Sequence, residues 1–100
     1  KNTPEILIPI ADSEKFVFME QLLNKAQFKD ASINKIDGLR VTFSHGWGLV
    51  RASNTTPALT LRFESSTELG MLDIQSEICD LLLDVDPKLD LSAIEGYARA

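Results

Sequence analysis

The groups able to do chemistry are concentrated in one stretch, Arg51-Ala52-Ser53-Asn54-Thr55-Thr56-Pro57. It holds one guanidinium, three hydroxyls and one carboxamide within six positions. An anion needs such donors. Arg presents a rigid fork that matches a phosphate bidentately, the hydroxyls and the amide add further N–H and O–H groups, and turn backbone N–H groups can form a small anion-binding concavity. Residues two apart on a strand point the same way, so Arg51 and Ser53 are expected to project together where a strand runs into a loop. Pro57 stiffens that loop through its fixed φ, and Gly46 and Gly48 leave room beside the strand. No Asp or Glu occurs between Gly38 and Phe63, a window that carries Arg40, Arg51 and Arg62; the rest of the chain has 7 basic against 15 acidic residues. The same residues also read as an ordinary polar hairpin turn, because Asn and Pro favour turns for local reasons. The residues alone leave both readings open. Asn54-Thr55-Thr56 also matches a glycosylation sequon, weakened by the Pro that follows.

Elsewhere the sequence offers no catalytic residue and no metal site. His45 is the only histidine and Cys79 the only cysteine, so neither a Cys–His pair nor a metal-ligating cluster is indicated. His45 is expected in an exposed turn. Cys79 stands beside an Ile78/Leu82 stripe and is expected to be a small buried hydrophobe. Asp80, Asp84, Asp86 and Asp90 lack the spacing of a calcium loop and are expected to form a solvated face. Phe43 and Trp47 are expected in the core rather than against a ligand.

The elements that must position the loop follow from periodicity. Glu5 to Ile10 is rich in branched residues and bracketed by Pro4 and Pro9, which predicts an edge strand or linker. Asp12 or Ser13 caps a predicted helix Ser13–Lys25, with Phe16, Met19, Leu22, Leu23 and Ala26 at helical spacing. Asp37-Gly38 is a turn dipeptide, and Leu39, Val41 and Phe43 alternate with Arg40 and Thr42 as a strand; if residues 33–36 are extended, the two halves form a tight hairpin. Ser44-His45-Gly46 turns into the strand Trp47–Ser53, and Ala58–Glu64 is the next. Ser65 and Glu68 match a capping box for a helix Ser66–Val85, whose stripe is Met71, Ile74, Ile78, Leu82 and Val85 and which stops before Pro87. From Lys88 onward, Leu89, Leu91, Ile94 and Tyr97 carry no firm signal. The predicted fold is α+β: an antiparallel sheet of about four strands with two helices packed on one face.

Length and composition set the frame. One hundred residues make one domain or a piece of a larger chain, with 44% hydrophobic and 25% charged residues as in ordinary globular domains. A net charge of −5 speaks against general nucleic-acid or anionic-membrane binding. One cysteine fits a reducing compartment, there is no apolar run long enough for a membrane span, and a cytoplasmic location is expected. The chain opens on Lys1-Asn2-Thr3-Pro4 and is read as part of a longer protein.

Three motifs together resemble a known family. Asp37-Gly38-Leu39-Arg40-Val41, then Gly46-Trp47-Gly48-Leu49-Val50-Arg51-Ala52-Ser53-Asn54-Thr55-Thr56-Pro57, then Leu61-Arg62-Phe63-Glu64 resemble the C-terminal domain of the α-D-phosphohexomutases, in the bacterial phosphomannomutase/phosphoglucomutase branch. Thr3-Pro4-Glu5-Ile6 and Lys15-Phe16 look like the start of that domain, and the resemblance runs over about residues 3–86. It implies a four-domain parent that moves a phosphoryl group between the 6- and 1-positions of mannose or glucose phosphate, using a phosphoserine and Mg²⁺ on earlier domains. It further implies that Arg51, Ser53, Asn54 and Thr55 contact the substrate phosphate, with Thr56 as loop support or a further donor, and that the loop holds whichever phosphate is not reacting. No cofactor is expected on this segment. The expected partners are a hexose phosphate and the other domains of the same chain. The expected division is a linker or edge strand at 1–10 acting as an interdomain hinge, a phosphosugar-binding domain at 11–86, and a tail at 87–100. His45 stands where many relatives carry an acid or a lysine, and is assigned no role. Ser-Asn-Thr-Thr-Pro, rather than Ser-Gly-Thr-Glu-Pro, favours the phosphomannomutase side over phosphoglucosamine mutases. The other reading is a non-enzymatic α+β module that binds a protein partner.

Overall fold

A computed structural model describes residues 2–94 of the chain. Five strands and two helices follow one another as β1 (Ile6–Pro9), α1 (Asp12–Lys25), β2 (Ser32–Asn34), β3 (Leu39–Phe43), β4 (Gly46–Ala52), β5 (Ala58–Ser65) and α2 (Glu68–Val85). The strands form one antiparallel sheet in the order β1-β5-β4-β3-β2. The class is the predicted α+β, with five strands rather than about four. The segment bracketed by prolines and the short Ser32–Asn34 segment both join the sheet, one at each edge. At an edge Pro9 needs no ladder partner for its missing N–H.

The period-two pattern sorts the sheet into two faces. Leu39, Val41, Phe43, Val50, Leu59, Leu61 and Phe63 are buried and form the core with Phe18, Met19 and Leu22 of α1 and Ile74, Ile78, Cys79 and Leu82 of α2. Both helices lie on that face. The other face is left open, and the register places Arg40, Leu49 and Arg62 side by side across it, with Thr42, Trp47 and Glu64 in the next row. All three arginines of the acid-free window therefore share the uncovered face. Trp47 lies there as well and not in the core, half-buried, with the Arg40 guanidinium 4.3 Å from its ring centre. Phe43 has the expected core position, its ring edge-on to Phe28.

Gly48 explains how closely α2 approaches the sheet. A β-carbon at this position would collide with Ile78 Cδ1 and stand 3.1 Å from the Phe63 ring. The room that this glycine provides is filled by a helix side chain, not by a ligand.

The helix starts differ from the sequence reading. Helix α1 begins at Asp12 with Ala11 as an uncapped N-cap; Asp12 turns its carboxylate to Lys15 instead and, with Glu14, complements the positive end of the helix dipole. Its buried stripe is Lys15, Phe18, Met19 and Leu22, while Phe16 is 61% exposed. Helix α2 is capped by Thr67, whose Oγ1 accepts the Gly70 N–H at 2.9 Å. Ser65 is not the cap, because strand pairing with Gly46 carries β5 through it; its hydroxyl donates to the His45 carbonyl at 2.8 Å. Helix α2 ends at Val85, before Pro87, as predicted. Beyond it Leu91 and Ile94 are buried in the core, and Asp90 accepts two hydrogen bonds from Ser92 that hold its carboxyl below the usual range. Tyr97 lies outside the described residues.

Candidate functional site

The loop 53–57 closes the hairpin of β4 and β5. Ladder pairing runs to Ala52 opposite Leu59, and the Ser53 N–H to the Ala58 carbonyl, 2.9 Å, extends it by one step. Ser53 then organises the loop. Its Oγ accepts the backbone N–H groups of Thr55 at 3.3 Å and Thr56 at 3.1 Å, and lies 2.6 Å from Thr56 Oγ1. A hydroxyl has two lone pairs and one proton. Ser53 Oγ draws the two loop N–H groups together, and it shares with Thr56 Oγ1 one hydrogen bond in which either hydroxyl can donate.

Two carbonyl groups of the loop are held against the body of the domain. The Thr56 carbonyl accepts the Ala58 N–H at 2.8 Å and the Lys15 ammonium at 3.0 Å, and the Pro57 carbonyl accepts the Ile10 N–H at 3.1 Å. These two acceptors are engaged by β1, α1 and the loop itself. Asn54, Thr55 and Thr56 are exposed, and Ser53 is half-buried beneath them. Arg51, on the open face and two residues before Ser53, is exposed and has no ion pair among the described residues. The arrangement favours an oxyanion, with Asp37 the one carboxylate in the cavity beside Arg51.

Arg51 is steadied by the turn between β2 and β3. Gly38 has φ +103°, and a β-carbon there would collide with the Val50 carbonyl and lie 2.9 Å from Arg51 Cγ. Beside this contact is a cavity of about 320 Å³ lined by Asn34, Ile36, Asp37, Gly38, Arg40, Leu49 and Arg51. The Asp37-Gly38 signal marks a turn in the sequence, but its packing on the Arg51 stem is visible only in three dimensions. Arg40 and Arg62 lie farther along the open face and do not join the loop.

Sequence reasoning missed Lys15. The available signal was its position in the series 15, 18, 19, 22, where a helix facing a core calls for apolar residues.

The remaining candidates have other surroundings. The His45 imidazole is not freely exposed: its Nε2 lies 3.3 Å from Asp73 Oδ2, because α2 crosses the β3–β4 turn and Gly70 leaves room for the ring. Among the acidic run, Asp84 pairs with Lys25 at 3.2 Å and Asp86 caps the Lys88 N–H. Cys79 is buried, and its thiol is pushed up to about 12, first by burial and then by nearby Asp80. At pH 7 only about one molecule in 10⁵ would carry a thiolate. A disulfide reagent should therefore leave the folded chain unmodified and react with one thiol once urea unfolds it; rapid reaction without denaturant would contradict this burial.

Comparison with known proteins supplies the family. Residues 5–81 match the family described as Phosphoglucomutase/phosphomannomutase, C-terminal domain. A phosphomannomutase/phosphoglucomutase of Pseudomonas syringae is 50% identical over 90 residues, covering 90% of this chain and 19% of that protein. A phosphoglucomutase of Neisseria gonorrhoeae is 48% identical over 77 residues, covering 75% of this chain and 17% of that protein. The crystal structure of a phosphoglucomutase/phosphomannomutase family protein from Burkholderia thailandensis superposes with a TM-score of 0.78 at 33% identity, covering 90% of this chain and 19% of that one. The chain thus spans about a fifth of the length of these relatives. On the family match and these relatives together, the chain belongs to the phosphoglucomutase/phosphomannomutase family and corresponds to its C-terminal domain.

Proposed function

We propose that the β4–β5 hairpin is the phosphate grip of a phosphomannomutase that interconverts mannose 6-phosphate and mannose 1-phosphate by intramolecular phosphoryl transfer. The observation that carries this reading is an exposed Arg51 without an ion pair among the described residues, beside a loop whose Thr56 and Pro57 carbonyls are engaged behind it and whose Asn54, Thr55 and Thr56 are exposed. Arg51 would take two phosphate oxygens with its fork, and Asn54, Thr55 and Thr56 would add hydrogen bonds. Ser53 would act chiefly by holding the loop in shape, so that little ordering remains to be done on binding. The grip would anchor the phosphate that is not reacting and so position the one that is.

The chain alone is proposed to be catalytically inactive and to work with other domains of a longer cytoplasmic enzyme, entered by way of a hinge near residues 1–10. Among the described residues no three His, Cys, Asp or Glu side chains come together to hold a metal. The Mg²⁺ that the family resemblance implies does not fit this donor set and is assigned to another domain. No helix among the described residues is long and apolar enough to cross a membrane.

A few charge-assisted hydrogen bonds in an open site correspond to a dissociation constant of about a millimolar. Titration of the ¹⁵N-labelled chain with inorganic phosphate and with mannose 1-phosphate should shift Arg51 to Thr56 first. Shifts centred on another surface would refute the assignment. Silence with phosphate, together with binding of a protein at the open sheet face, would favour the interaction-module reading.

A further inference from the structure

The one lysine in the core-facing stripe of α1 has no evident role in packing. Lys15 is 4% exposed and stands in line with Phe18, Met19 and Leu22. Burying an ammonium is costly unless it is paired and hydrogen-bonded, and an apolar residue would serve the core better. Its contacts indicate what it is there for. Nζ lies 2.7 Å from Asp12 Oδ1 and 3.0 Å from the Thr56 carbonyl, 41 residues away, with the Phe16 ring centre at 5.3 Å. Asp12 and Phe16 are both exposed, so the ammonium sits beneath them and reaches inward to the back of the loop.

We propose that Lys15 is a positioning residue for the phosphate grip, a reading that rests on the function proposed above. The Thr56 carbonyl has two lone pairs and two donors, the Ala58 N–H and Lys15 Nζ. Together they fix the plane of the Thr56–Pro57 peptide. That peptide has no N–H of its own, so its only strong dipole is the carbonyl, and Lys15 keeps the negative end turned away from the binding side. Without Lys15 the carbonyl keeps only the Ala58 N–H, and a change in ψ of Thr56, the one soft torsion left to this peptide because Pro57 fixes its own φ, would swing the oxygen outward to face and repel the phosphate. The Ile10–Pro57 bond anchors the next residue but cannot set this plane. Lys15 thus ties the first turn of α1 to the donor set of the hairpin while remaining out of contact with the ligand.

The test uses Lys15→Met, which keeps the length of the side chain and suits an apolar stripe, and Lys15→Arg, which keeps a cationic donor. Three readouts on the 100-residue chain separate the possibilities: the urea midpoint, the ¹⁵N relaxation of Asn54 to Ala58 without ligand, and the dissociation constant for inorganic phosphate. Lys15→Met is expected to keep or raise the urea midpoint, to mobilise Asn54 to Ala58, and to weaken phosphate binding about tenfold. Lys15→Arg is expected to restore most of the binding. If Lys15→Met leaves loop relaxation and affinity unchanged while the parent chain binds phosphate at Arg51 to Thr56, the positioning role is wrong and the grip stands. If the parent chain shows no phosphate response at the loop, the grip reading fails and the positioning role with it, whatever Lys15→Met does to loop motion. Should Lys15→Met not fold, Lys15→Gln is read by the same three measurements and the same criteria.

Discussion

Replacing Arg51 with alanine should raise the dissociation constant for phosphate by roughly 10- to 150-fold, the equivalent of losing a charge-assisted contact of about 1.5–3 kcal/mol. The prediction rests on what Arg51 does not do within the fold. It is exposed, it has no ion pair among the described residues, and its stem only rests on the Gly38 turn. Removing it therefore leaves no buried charge behind, and stability should change by no more than about 0.5 kcal/mol. Arg51→Lys keeps the charge and loses the planar fork, so it should fall between the parent and the alanine variant. Added salt should narrow the gap, because an exposed charge is screened at short range. The phosphate titration described above measures all three. An Arg51→Ala chain that binds phosphate as well as the parent would remove Arg51 from the site.

Phe63→Ala should have the opposite profile, a large loss of stability with little intrinsic effect on the loop. Phe63 is completely buried on β5, opposite Gly48 on β4, where Ile78 of α2 packs down onto the sheet. Truncating a buried Phe costs about 3–5 kcal/mol, the transfer term plus a cavity term. The cavity is poorly placed to collapse, since Gly48 has no side chain to move in and Val41 and Leu61 are held in the ladder. For a domain of this size, whose total stability is about 5–15 kcal/mol, such a loss lowers the melting temperature by roughly 12–40 °C at 4–8 °C per kcal/mol. Thermal or urea unfolding checks it. A shift of only a few degrees would mean that the helix–sheet interface is looser than its burial indicates. Below the new transition the phosphate affinity should stay near that of the parent, which separates a folding defect from a binding defect.

Much of the fold was legible because its signals are local. The alternation of Leu39, Val41 and Phe43, the stripe Ile74, Ile78, Leu82 and the stop before Pro87 each depend on residues within a turn or a strand length of one another. The α1 stripe was legible as a helix but not as a face. Phe16, Met19, Leu23 and Ala26 fit helical spacing nearly as well as Lys15, Phe18, Met19 and Leu22. Only contact with the sheet and α2 shows that the second set is buried and that Phe16 faces solvent. The Ser65 cap failed for a similar reason. Ser65 and Glu68 have the right spacing, but pairing with Gly46 extends β5 by tertiary contact and moves the cap to Thr67.

The candidate site divides in the same way. Sequence by itself supplied the candidate donors Arg51, Ser53, Asn54, Thr55 and Thr56, the lack of Asp and Glu in their own stretch of chain, and the family whose motif they match, because all of these reside in residue types and short spacings; folding then brings Asp37 into the cavity beside Arg51. Tertiary structure decided that Arg40, Arg51 and Arg62 share the uncovered face, that His45 packs against α2, and that the space at Gly48 belongs to Ile78. It also decided the contact between the Ser53 and Thr56 hydroxyls and the grasp of the Thr56 carbonyl by Lys15. These are relations between residues brought together from up to 41 positions apart, or between atoms whose valences are filled only after the chain has folded. No local propensity encodes them: they arise from the packing that sets which groups meet.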